Sequence, residues 1–572
     1  MPDQEAPPEA SWDPLPSRPS TAPPRRGWLW TLAGADAHAG ALVVLAGIPV
    51  LGGIWALLSP GRALSREMTW DFLFIFAGAW HLHYGHAAHV DFHTPLGVLN
   101  FLLLLAGFQI FGITPLAFMA GMVMVVLVVF TLASWAAWRR LPLLPACIFV
   151  VFVSLLILMP ANVGDMPNIF SFAMSYNRYG WSALCILALI LYVPPRNGRG
   201  GDWIDIGAVG FLLVAVFYLK VTYFVAGLAI LGFAVLVCPH VRRRWQVWVA
   251  TGAVLVAIAL APYNHPYLAD IWDAAQAGTI RTSLHYHLLT FLPGAAEYAS
   301  YVAALAVVWL MWRRGQAPLH LPVAAAFLIL LGFFVLTQNA QPGSVPLGIM
   351  IAFLIYDQLR HTLPREPAGT LALSMLALMA FPLAAIVVST ASLAAYNVKA
   401  RNPEGLSIVD RTQLQGLAVP AEEGNLLAAF SSSRVDPRLL GQVRMVGARF
   451  ELSAFEYVET ILEAAALLQD GHTPRGGIVT LDQVNPLPFM LGDKPPRGDN
   501  LWSGPVVSLR PAASLFAEAD YVLVPKFSTL SAWTSKAMAE YGPFLAEHYP
   551  YRKETQSWIL LSRVSAAPSA PR

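Results

Sequence analysis

Long apolar segments recur along the first two thirds of the chain, and they constrain its fold more than any motif does. Segments that span a bilayer, or nearly so, occur near 40–60, 96–112, 115–138, 143–160, 180–194, 203–220, 222–239, 246–263, 290–312, 318–337, 344–360 and 368–393. Hydrocarbon offers no water to backbone N–H and C=O groups, so such segments must satisfy themselves as helices. Only 12% of the 572 residues are charged, about half the share usual for soluble proteins. The expected fold is therefore a polytopic α-helical membrane protein. A formal net charge of +2 points to no nucleic-acid partner. Cys147, Cys185 and Cys238 all fall in apolar segments, which excludes a disulfide framework for the polar C-terminal stretch.

Arginine clusters orient the spans. Residues 1–27 are rich in Pro, Ser and Ala without apolar periodicity and are expected to be a disordered cytoplasmic tail. No cleavable signal precedes the first apolar run, which is expected to stay as a signal anchor. Short cytoplasmic loops collect Arg and Lys, so Arg139/Arg140, Arg196/Arg199, Arg242–Arg244, Arg313/Arg314 and Arg360/Arg365 should share a side with Arg25/Arg26. They do so if 96–112 does not cross. That segment is short, begins at Pro95, and is interrupted by Asn100, Gln109 and Gly112, which suits a juxtamembrane or re-entrant position. About eleven spans remain within a transmembrane domain of residues 28–394. The N-terminus is inside, the C-terminus outside, and 61–113 forms one large outer-face loop.

From 395 to 565 the composition becomes that of a soluble domain, followed by a short disordered tail at 566–572. "FEYVETILEAAALLQD" has helical spacing, while "GGIVTLD", "ADYVLVP" and "SWILLSR" are short apolar runs bounded by turn residues. These elements predict an extracytoplasmic α/β domain.

Outer-face loops hold most of the polar chemistry, whereas the inner loops look merely basic. Asp71 lies in "TWDFLFIF", where burying a carboxylate costs several kcal/mol unless it is partnered. Asp91 follows in "VDFHTPLG". Further along come Asp165, Tyr176, Asn177 and Arg178, then Lys220 at a span end. His265, Asp270, Arg281 and His285 follow, and then Gln338, Asn339 and Gln341. Ordinary readings compete: Lys220 and Arg178 as snorkelling anchors, and Trp70, Trp80, Tyr84 and Tyr176 as an interfacial belt. No histidine spacing makes a strong metal motif, although His86 and His89 stand at i,i+3. A divalent metal stays an open expectation.

The pattern "WD-x12-YG-x4-VDFHTPLG" resembles the first outer loop of the GT-C superfamily, membrane glycosyltransferases that use lipid-phosphate-linked sugars. The corresponding positions are Asp71, Gly85, and Asp91 with Pro95-Leu96. The resemblance extends to the protein mannosyltransferase and aminoarabinose transferase type. It implies a polyprenyl-phosphate-linked sugar as donor and a glycan, lipid or protein acceptor. It also implies a bacterial inner (plasma) membrane with the C-terminal domain periplasmic. No second acid follows Asp71 and no double proline follows Asp91, so both aspartates stay candidates for the catalytic acid. Arg178, Lys220, Asn177 and Tyr176 are expected to hold the donor phosphate, since a phosphate leaving group needs a cation. His93, His265, Gln338 and Asn339 are expected on the acceptor side or as accessory groups. The competing classes are a transporter, which would carry inverted repeats and broken helices, and a non-catalytic membrane scaffold with an outer binding domain.

Overall fold

The computed structural model of the protein describes residues 38–66, 68–164, 171–196, 202–277, 294–339, 344–362, 406–421, 452–469, 477–503, 509–528 and 531–563, with short pieces between 377 and 392. The tails at 1–27 and 566–572, most of the expected span at 368–393, and Asp165, Arg281, His285 and Gln341 lie outside the described residues.

In chain order the first part comprises α1 (Ala39–Leu58), β1 (Ala63–Leu64), α2 (Thr69–His83), β2 (Phe92–His93), α3 (Leu99–Phe111), α4 (Leu116–Arg140), α5 (Leu143–Leu158) and α6 (Ser175–Tyr192). It continues with α7 (Asp202–Leu219), α8 (Val221–Val237), α9 (Trp245–Ala259), α10 (His265–Ala277), α11 (Ala295–Arg313), α12 (His320–Asn339) and α13 (Met350–Thr362). Among the described residues α1, α4, α7, α11 and α12 are long and apolar enough to cross a membrane. The pair Trp245–Ala259 and Pro262–Gln276, bent by 57°, adds a sixth if taken as one broken span. Helices α3, α5 and α8 are apolar but shorter. Helix α6 carries polar residues in its first turn, yet it is buried along its length except at Tyr176. A helix enclosed by other helices has no need of a uniformly apolar face.

The segment read as non-crossing forms α3, which has 13 residues and is about 20 Å long, short of the ~30 Å hydrocarbon core. It folds back on α4 through Gly112, whose φ is +72°, and Gly107 touches the Ala117 backbone with no room for a Cβ.

Three of the arginine clusters meet at the opposite end of the bundle. Arg139 and Arg140 are fully buried and both pair with Asp205, Arg140 at 2.6 Å. Arg139 also meets Asp202 at 3.0 Å, and Arg244 meets the same carboxylate at 2.8 Å. The Arg196 N–H bonds the Arg139 carbonyl. That end of the bundle is thus more than basic loops. It holds a buried network, because a guanidinium in apolar surroundings needs an acidic partner.

The C-terminal part comprises β3 (Leu406–Ile408), β4 (Leu417–Pro420), α14 (Ala454–Gln469), β5 (Gly477–Thr480), β6 (Asp499–Asn500), β7 (Ala519–Pro525), α15 (Ser531–His548), β8 (Tyr551–Glu554) and β9 (Trp558–Ser562). Ser453 and Glu456 form a reciprocal capping box at the start of α14: Ser453 Oγ accepts from the Glu456 N–H at 3.1 Å, and Glu456 Oε2 accepts from the Ser453 N–H at 2.9 Å. A four-stranded sheet runs in the order β5-β7-β9-β8, with β5 and β7 parallel and the other pairs antiparallel. Alternate β7 residues face opposite sides: Val522 and Val524 pack with Trp533, Ala537 and Tyr541 of α15, while Leu523 joins the core that includes α14.

The segment between α1 and α3 is woven into this C-terminal part. β1 pairs in parallel with β4 at Ala63↔Leu417 and Leu64↔Ala418. β2 pairs in parallel with β6 at Phe92↔Asp499 and His93↔Asn500. Backbone groups at short loop strands need partners once buried, and the C-terminal segments supply them.

Candidate functional site

Two helices that open at the loop end of the bundle carry the polar groups of interest, and both start in the same unusual way. Met68 (φ +52°) precedes α2, and Met174 (φ +49°) precedes α6. A left-handed backbone on a long side chain costs about 1–2 kcal/mol and is a feature of strained functional sites. Met68 accepts from the Asp71 N–H at 3.0 Å, and Met174 from the Asn177 N–H at 2.9 Å. Asp71 and Asn177 thus occupy equivalent places in their first turns. At its other end α2 stops at Gly85 (φ +77°), the glycine the loop pattern singled out.

Asp71 is half-buried. Burial pushes its carboxyl up to about 6, while a hydrogen bond with Trp502 and the charge of Lys220 pull it down. Lys220 lies in the break between α7 and α8, with extended backbone. Its Nζ lies 3.5 Å from Asn177 Oδ1 and 5.0 Å over the Tyr176 ring. The same Asn177 oxygen accepts from the Tyr223 hydroxyl at 3.3 Å. Among the described residues the buried Asn177 Nδ2 has no hydrogen-bond partner. Asp71, Lys220, Asn177 and Tyr176, expected from sequence, therefore come together. Tyr223 and Trp502 join them without a sequence signal.

Lys220 owes its position to the outer loop. The Gly97 N–H and the Asn100 side-chain amide both donate to the Leu219 carbonyl, at 3.1 and 3.0 Å. The "TPLG" turn thereby fastens the residue immediately before Lys220.

The remaining candidates sit elsewhere. Arg178 is fully buried, and its Nη1 donates to the Ala161 carbonyl at 2.5 Å and the Ser171 carbonyl at 3.4 Å. Those contacts brace the segment between α5 and α6. Asp91 accepts from the Ala87 N–H at 2.8 Å and pairs with Arg497 at 3.4 Å, so it closes a turn against the C-terminal part. His93 bonds Asp270 at 2.9 Å. His265 is exposed at the start of α10, and Gln338 and Asn339 end α12. His86 meets His81 at 3.0 Å, instead of His89. Among the described residues no group of three or more His, Cys, Asp or Glu side chains is placed to hold a metal ion.

Trp70, Trp80 and Tyr84 all contact the C-terminal part. Trp70 packs edge-on against Tyr457 with ring centroids 5.7 Å apart. Trp80 Nε1 donates to the Asp493 carbonyl at 2.7 Å, and the Tyr84 hydroxyl to the Gly492 carbonyl at 3.0 Å. The buried Trp80 indole N–H needs a partner, and the Asp493 carbonyl provides it.

No protein-family model matches the chain, and no curated protein matches it in sequence. Among solved structures it is similar to ArnT from Cupriavidus metallidurans, solved bound to undecaprenyl phosphate, at 11% identity. The match covers 94% of this chain and 100% of that one, with a TM-score of 0.42.

Proposed function

We propose that the protein is an integral-membrane glycosyltransferase that moves a sugar from a polyprenyl-phosphate donor to an acceptor on the outer face. One observation carries this reading: a half-buried carboxylate, Asp71, lies within the electrostatic reach of Lys220, which clusters with Asn177 and Tyr176, at the end of the bundle away from the arginine clusters.

The chemistry follows from the groups. The acceptor hydroxyl or amide gives its proton to the Asp71 carboxylate as it bonds to the anomeric carbon. The bond from that carbon to the phosphate oxygen breaks, and its electron pair leaves with the polyprenyl phosphate. Lys220 offsets the charge that develops there, and Asn177 Nδ2 is a spare donor for a phosphate oxygen. A carboxyl pushed up to about 6 is a serviceable base near neutral pH. Arg178 acts indirectly in this scheme, by bracing the chain ahead of α6. His93, His265, Gln338 and Asn339 are proposed on the acceptor side.

Turnover of polyprenyl-phosphate-linked sugars by the purified protein in bilayers tests this. Asp71→Asn should lower turnover by about a hundredfold or more, whereas Asp91→Asn should stay within about tenfold, since Asp91 serves a turn. Unchanged turnover in Asp71→Asn would remove the reading.

A further inference from the structure

Asp270 is the most heavily bonded carboxylate at the loop end of the bundle, and the proposed reaction does not use it. It lies on α10, an outer-face segment whose Tyr267 and Asp270 pack against residues 89–94, and it is 7% exposed. Oδ2 accepts from His89 Nδ1 at 2.9 Å and from the Thr94 N–H at 3.1 Å. Oδ1 accepts from His93 Nδ1 at 2.9 Å and from Arg510 Nη2 at 3.1 Å. Four donors occupy the four acceptor positions a carboxylate offers. Burial pushes this carboxyl up, but the His89 and His93 hydrogen bonds outweigh it and bring it down to about 2, so it stays ionised in any working range.

Two lines of backbone lead from this point to the two sides of Asp71. Along one, the His93 carbonyl accepts from the Leu501 N–H at 3.1 Å, and the next residue, Trp502, hydrogen-bonds Asp71. Along the other, Thr94 Oγ1 accepts from the Leu96 N–H at 3.2 Å, and Gly97 then holds the Leu219 carbonyl ahead of Lys220. Here a single carboxylate grips the loop at three points and the C-terminal part at one, where those two lines diverge.

We propose that Asp270 is a positioning residue: by clamping His89, His93, Thr94 and Arg510 together, it sets where Trp502 and Lys220 stand around Asp71. This rests on the reading of Asp71 and Lys220 as the working pair.

The test uses the full chain in lipid nanodiscs, with wild type, Asp270→Asn and Asp270→Glu. Amide hydrogen exchange is read at Leu501 and Gly97, neither of which bonds Asp270, and at Val522–Val524 as a distant reference. Binding of a synthetic polyprenyl phosphate is read alongside. Both variants should speed exchange at Leu501 and Gly97 by about tenfold with the reference unchanged, and should weaken polyprenyl phosphate binding by a similar factor. If Asp270→Asn fails to fold, Asp270→Glu, which keeps the charge and moves it, carries the same readouts. Exchange that rises only at His89–Thr94, with binding unaltered, would overturn the proposal. Wild type that binds no polyprenyl phosphate would overturn the functional reading instead, and the exchange data would still decide the clamp.

Discussion

A Cβ on Gly97 would overlap the carbonyl oxygen of Tyr218: loop and helix α7 meet there backbone to backbone. Gly97→Ala must therefore push the turn and the end of α7 apart, and Lys220 begins two residues beyond Tyr218. Overpacking of this kind costs about 1–3 kcal/mol. The variant should melt lower and bind polyprenyl phosphate more weakly. Thermal unfolding and a binding titration on the same preparation measure both.

Asp71→Asn should gain stability while losing activity. The folded-state carboxyl is raised, so its favourable contribution is complete below the ordinary carboxylate range near 4 and is lost as pH rises through about 6. At pH 7.5 the wild type bears the full penalty of ionising it, about 1–3 kcal/mol. Melting of wild type and variant should therefore agree best near pH 4, separate between pH 4 and 6 and stay separated above it, which a pH series of melting curves reads directly.

Transfer should require ionised Asp71, so kcat/KM should fall on the acid side of about pH 6. Lys220→Gln removes a charge that lowers this carboxyl, and Trp502→Phe removes a hydrogen bond that does the same. Both should move the acid limb to higher pH, with Lys220→Gln also lowering the plateau. A limb that stays put in both would separate Asp71 from the rate.

At the opposite end, Asp205→Ala should be destructive without touching the proposed chemistry. It leaves Arg139 and Arg140 buried beside an empty position, and breaking a buried pair costs ~3–5 kcal/mol. Folded protein recovered from membranes should drop sharply. Any folded fraction should turn over at the wild-type rate per molecule, as measured by active-site-normalised kinetics.

Much of the architecture was legible because it is written in local patterns. The apolar segments carry their own length, and the strands at 477–480, 519–525 and 558–562 and the helix at 454–469 carry their own periodicity. Asp71 stood out because a carboxylate in an apolar stretch is costly wherever it lies. Lys220, Asn177 and Tyr176 were legible as polar groups at span ends on one face. Their meeting with Asp71 was not, since proximity across distant segments is decided by how helices pack. Arg178 shows the limit: its place among outer-loop polar groups suggested a phosphate-binding cation, but the chain ahead of α6 offers its carbonyls inward and takes the guanidinium with it.

The sequence by itself determined a helical membrane bundle and an α/β C-terminal part, because hydrophobic length and periodicity act within single segments. Only the tertiary structure decided that loop and C-terminal part share sheets, that Trp502 reaches Asp71, and that Asp270 gathers two histidines and Arg510. Those contacts join residues far apart in the chain. Each becomes favourable only after neighbouring segments have packed and excluded the water that would otherwise satisfy the same groups.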